Sequence, residues 1–93
     1  MIKTGITDKT EVKELCDIVT NIVGLEQGSL TSKSRKQPYT LARQVVSNIC
    51  LDKGIHFETI ANVLNRHRTN IYHYHKKHKD NFKNWVQYRS LFT

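Results

Sequence analysis

Carboxylates nearly vanish from the last two-thirds of this 93-residue chain. Beyond residue 31 only Asp52, Glu58 and Asp80 stand against twelve lysines and arginines, a net charge of +9. Residues 1–31 hold three lysines and five carboxylates, a net charge of −2. So few acids leave little for paired-carboxylate catalysis or for holding Mg2+. The two cysteines, Cys16 and Cys50, lie far apart in sequence, each inside an apolar helical pattern. They read as reduced core thiols, not as a disulfide, a metal pair or an activated nucleophile. No G-x-x-x-x-G-K-[ST] occurs, so neither nucleotide nor other cofactor is expected, and the chain does not read as an enzyme. No run approaches the about 18 apolar residues of a membrane span. The segment MIKTGITDKTEV has no apolar signal core, so the expected location is cytoplasmic, in the nucleoid or a host-cell cytoplasm. Alternating strand patterns, internal repeats and low-complexity tracts are all missing. What remains predicts a single all-α domain over 1–93, a bundle of about five helices.

Thr7-Asp8 with Glu11 has the form of a capping box and predicts a first helix over 6–24. Val12, Leu15, Cys16, Val19, Ile22 and Val23 recur at helical spacing as its buried face. From Glu26 to Gln37 the pattern is polar and includes Lys33-Ser34-Arg35-Lys36, predicting a basic loop over 25–37. Pro38 suits the first turn of a helix over 38–53, where its fixed φ fits and its missing N–H has no partner to lose. Leu41, Ala42, Val45, Val46, Ile49 and Cys50 form the expected buried face there. The last segment, 80–93, predicts an amphipathic helix carrying Phe82, Trp85, Val86, Leu91 and Phe92.

Between these, residues 56–79 have the form of a helix-turn-helix, with its second helix running from about Arg68 to Lys79. Ile60, Ala61, Val63 and Leu64 are the apolar positions of the first helix, with Ala61 small enough for close approach. Ile71 and Tyr74 face inward on the second. Asn65 falls where the turn demands positive φ, which Asn tolerates best among non-glycine residues. The outward positions Arg68, Thr69, Asn70, Tyr72, His73, Lys76 and Lys77 carry no carboxylate. Arg forks onto guanine, Asn onto adenine, and the Thr methyl packs on a thymine methyl. Lys76 and Lys77 suit phosphates, and the five histidines, all beyond residue 31, add titratable positive charge. A localised positive field of this kind draws polyanions, duplex DNA first.

From about Glu11 to Lys79 the chain resembles the C-terminal DNA-binding domain of the bacterial replication initiator DnaA. The residues that carry the resemblance are the basic loop 33–36, the pair Arg43-Gln44 and the run Arg66-His67-Arg68-Thr69-Asn70-Ile71. The family signature there reads roughly R-D-H-T-T-V. Arg66 and Thr69 match it, and Ile71 stands for the valine. His67 stands for the aspartate, Arg68 for the histidine, Asn70 for the second threonine, and Asn65 for a preceding glycine pair. The resemblance implies minor-groove contact by the basic loop, through Lys33, Arg35 and Lys36. It also implies DNA contact by Arg43 and Gln44 and major-groove reading by Arg66, His67, Arg68, Thr69 and Asn70. The changes at His67 and Arg68 imply a different DNA sequence from the family's. The segment after Lys79 has no counterpart, and neither does the initiator's nucleotide-binding module. A domain of this kind suits replication or transcription control by a small phage, plasmid or mobile-element protein, or a piece of a larger chain.

Three other readings compete. His67, His73, His75 and His78 invite a metal, but structural zinc needs four ligands in close pairs and no cysteine stands near. RNA modules of the common kinds show exposed strand aromatics or Gly-rich loops, which are missing here. A protein-interaction adaptor or inhibitor that uses the same scaffold to bind a host protein, with Trp85 and Phe92 at its surface, is the strongest alternative, and a protein partner or a homodimer is a candidate beside DNA. Salt separates it from DNA binding, since phosphate contacts release counterions.

Overall fold

The computed structural model describes residues 5–34 and 36–91. They form five helices: α1 Gly5–Val23, α2 Gln37–Asp52, α3 Phe57–Leu64, α4 Arg68–Asn84 and α5 Val86–Ser90. A single 3-10 turn, Ser29–Thr31, lies in the connection between α1 and α2. No strand occurs among the described residues, so the all-α expectation holds.

Helix α2 is the axis of the bundle. Every residue from Leu41 to Asn48 is buried, because α1, α3, α4 and the 3-10 turn all pack around it. Val12 and Val19 from α1, Ile60, Ala61 and Leu64 from α3, and Ile71 from α4 complete the core with Val45 and Val46. Burying each large aliphatic side chain in such a core contributes about 1.5–3 kcal/mol.

Helix ends follow local chemistry. Gly24 takes φ 87° just past α1, and the amides of Gly24 and Leu25 both donate to the Thr20 carbonyl, at 2.9 and 2.8 Å. That left-handed residue closes the helix at no Cβ cost. Pro38 sits in the first turn of α2, as its missing N–H favours.

Several expectations are corrected. Helix α1 begins by Gly5, so Thr7 and Asp8 lie inside it rather than capping it. Ile22, expected on the apolar face of α1, is 63% exposed, and Ile18 beside it is 55% exposed. Helix α4 does not stop at Lys79 but runs to Asn84, since nothing from Lys79 onward breaks it before Trp85 turns extended at φ −116°, ψ 100°. The C-terminal helix is therefore only Val86–Ser90, and Phe92 lies outside the described residues. Its anchor is Tyr88, fully buried, whereas Val86 is 68% exposed. Burial of Tyr88 is possible because its hydroxyl finds partners: Asn48 Nδ2 donates to it at 2.9 Å and His78 Nδ1 lies 2.7 Å away.

Candidate nucleic-acid interface

Helices α3 and α4 are joined by three residues, Asn65-Arg66-His67. Asn65 adopts the left-handed conformation at φ 55°, ψ 45°, as its position in the sequence predicts. The reversal brings the Arg66 amide onto the Ala61 carbonyl at 2.9 Å, closing the end of α3. A histidine caps each helix. His56 Nδ1 accepts the Glu58 amide at 3.4 Å, and His67 Nδ1 accepts the Thr69 amide at 3.2 Å while lying 2.8 Å from Thr69 Oγ1. His67 thus fills the role that an aspartate or serine usually fills at a helix start. Ile71, fully buried, pins the first turn of α4 to the core.

The exposed surface of α4 divides into two. One side leans on the start of α3: Arg68 Nη1 pairs with Glu58 Oε1 at 3.2 Å. On the same side Tyr72 stacks on Phe57 at 4.2 Å and 25°, and His75 meets the same ring edge-on. The other side holds Thr69, His73, Lys76 and Lys77, all exposed. Asn70 is half-buried between them and the core side. From Arg66 to Lys79 the chain carries no carboxylate. A groove of about 430 Å3, lined by Glu58, Ala61, Asn62, Arg66, His67 and Arg68, runs along the α3 side.

The basic loop comes to the same end of the bundle. Lys33 and Lys36 are exposed, with Lys36 at the start of α2; Arg35 lies outside the described residues. The loop meets the turn through one oxygen, because Arg66 Nη2 donates to the Ser32 carbonyl at 2.6 Å.

Arg43 and Gln44 are corrected. Arg43 is 2% exposed and Gln44 6%, so neither side chain offers a surface to an external ligand. Arg43 donates from Nε to Leu30 O at 2.8 Å, from Nη1 to Ser34 O at 2.6 Å and from Nη2 to Ser32 O at 2.6 Å. Gln44 Oε1 accepts from Asn81 Nδ2 on α4. Both residues face inward because α2 is enclosed on all sides, and its polar flank serves the backbone and side chains of its neighbours. Burial, and then the positive charge of Arg66, push the Arg43 pKa below the usual guanidinium value. Tyr74, beside both arginines, is raised by its own burial against their opposing pull.

The remaining candidates for chemistry are quiet. Burial pushes the Cys16 thiol up to about 12 and the Cys50 thiol to about 11, so neither forms much thiolate at neutral pH. Among the described residues no three of His, Cys, Asp or Glu gather as a metal site. No helix there is long and apolar enough to cross a membrane. A larger groove, about 580 Å3, lies at the far end of α2 beside Asp52, Lys53, His75 and His78. Sequence reasoning missed Glu58 as the partner of Arg68, and the signal was present: Glu58 is the sole carboxylate between Asp52 and Asp80. The chain matches no family model, no curated protein and no solved structure.

Proposed function

We propose that the chain binds duplex DNA sequence-specifically, with α3 and α4 acting as a helix-turn-helix and the loop around Lys33 and Lys36 touching the backbone or minor groove beside it. The observation that carries this reading is the carboxylate-free stretch from Arg66 to Lys79, in which Thr69, His73, Lys76 and Lys77 stand exposed along successive turns of α4 before Asp80. A surface helix in solvent ordinarily mixes charge signs; one whose first three turns hold only donors and cations is matched to a polyanion. Thr69 and His73 lie where a recognition helix presents side chains to base edges, and Lys76 and Lys77 lie further along, at phosphate height. The left-handed Asn65 and the short turn support the motif. The likeness of residues 66–71 to the DnaA signature supports a role in replication or transcription control of a phage or mobile element.

The test is selection of bound sequences from a random duplex pool, followed by titration of the winner against salt. A defined consensus, with log affinity falling linearly in log salt, is expected. No duplex binding at micromolar protein and low salt would sink the reading. A second reading, a protein-interaction adaptor, is favoured by the exposed pair Ile18 and Ile22, one turn apart on α1.

A further inference from the structure

Two arginines share one carbonyl oxygen in this molecule, and no carboxylate pairs with either among the described residues. Arg43 Nη2 and Arg66 Nη2 each donate to Ser32 O at 2.6 Å. Like charges brought this close, one of them buried, repel each other and give up hydration. An arrangement that expensive is retained where it holds something in place. What it holds is the stretch from Leu30 to Ser34, three of whose carbonyls accept from the single guanidinium of Arg43. Those carbonyls have few other donors, because the segment forms only one short 3-10 turn. A planar guanidinium with five fixed donors can span three of them at once, and a lysine ammonium on its flexible stem cannot.

We propose that Arg43 is a positioning residue for the nucleic-acid interface: without touching DNA it clamps the basic loop, and through the shared Ser32 carbonyl it locks that loop to Arg66 in the turn before α4. The inference rests on the DNA-binding reading. It adds that the loop cations and the α4 surface meet the duplex as one rigid unit of fixed spacing. Preorganisation of this kind raises affinity by removing the ordering entropy that a loose loop loses on binding. Arg43 therefore acts at a distance from phosphate, through Lys33 and Lys36.

The test is a double-mutant cycle on the full chain with the duplex selected from the random pool. In the native background, Lys33→Ala with Lys36→Ala weakens binding and lowers the salt slope by about 2. Arg43→Lys keeps the charge but loses the fork, and is expected to weaken binding about tenfold. On that background the two loop substitutions should add less than about twofold, because a loosened loop no longer delivers its cations. Full additivity would overturn the proposal. Should Arg43→Lys fail to fold, Arg66→Lys removes the second fork on the Ser32 carbonyl with Arg43 intact, uncoupling the loop from the turn, and the same loss of additivity is expected. Amide exchange supplies an independent arm. In Arg43→Lys, faster exchange confined to residues 29–36 supports the clamp, and unchanged exchange there refutes it, even if the native chain binds no duplex and only the DNA reading falls.

Discussion

Arg68 is held by Glu58, Nη1 to Oε1 at 3.2 Å, across the start of α3 and α4. Both side chains are more than half exposed, so the pair contributes little to stability, about 0–1 kcal/mol. If the chain binds DNA as proposed, the consequence of the pair falls on recognition. A guanidinium that forks onto guanine must first leave this carboxylate, and the carboxylate then faces a polyanion.

Glu58→Gln should therefore tighten duplex binding by about twofold to fivefold, in line with one exposed charge contact. Its melting temperature should stay within a few degrees of the native value. Equilibrium titration at two salt concentrations measures the first and thermal unfolding the second. Weaker binding by Glu58→Gln would instead make the carboxylate the group that aims Arg68.

The turn makes a separate prediction about stability. Asn65 at φ 55° is the sole described non-glycine residue with positive φ. Asn65→Ala should lose about 1–2 kcal/mol, the cost of placing an ordinary Cβ there, while Asn65→Gly should lose less. Ile71→Ala, removing a side chain with no exposed surface, should lose about 2–5 kcal/mol. Chemical denaturation ranks the three. An Asn65→Gly protein less stable than Asn65→Ala would show that the side chain, not the backbone, matters at this position.

Acid should weaken the fold through His78. Its pKa lies below the ordinary histidine value because of burial, then His75, with Asp52 on α2 pulling the other way. The Tyr88 hydroxyl on α5 also faces it, itself raised by burial to about 12. A histidine that resists protonation when folded binds its proton more readily in the unfolded chain. The unfolded state is thus favoured as pH falls from the ordinary value of about 6.5 toward the lowered one. The stability is fully present above that window and shrinks through it. Melting temperatures between pH 8 and pH 5 should fall on the acid side, and His78→Gln should flatten part of that fall. A His78→Gln protein with the native pH profile would assign the acid sensitivity elsewhere.

Periodicity located the helices and Asn65 the turn, because apolar spacing and positive φ are written in local residue types. What local sequence does not show is which polar residues a crowded helix turns inward. Arg43 and Gln44 read as surface residues until α2 proves enclosed on every side. Tyr88 was passed over for Val86 and Phe92 because its burial depends on Asn48, forty residues away in sequence. The extension of α4 past Lys79 was missed for the opposite reason. The apolar spacing of Phe82, Trp85 and Val86 reads as the start of a new helix, yet the run from Lys79 to Asn84 contains neither glycine nor proline to separate it from α4.

The two kinds of contact expected on α4 should separate cleanly by measurement. Lys76 and Lys77 are exposed toward its C-terminal half and have no role in the core. Lys76→Ala and Lys77→Ala should weaken binding to every duplex alike, each lowering the salt slope by about 1, because each removes one phosphate contact. Thr69 stands one turn from His73 on the same exposed flank, at the end that the DNA-binding reading places in a major groove. Thr69→Ser removes the methyl group that packs on a thymine methyl in the DNA-binding reading and keeps the hydroxyl that lies against His67. It should relax preference at one base pair by about 1 kcal/mol, the contribution of one buried methyl group, and leave the salt slope unchanged. The measurement is binding of each variant to all single-base changes of the selected duplex, at two salt concentrations. If Lys77→Ala shifts base preference while Thr69→Ser leaves it unchanged, α4 lies in the groove in the opposite direction.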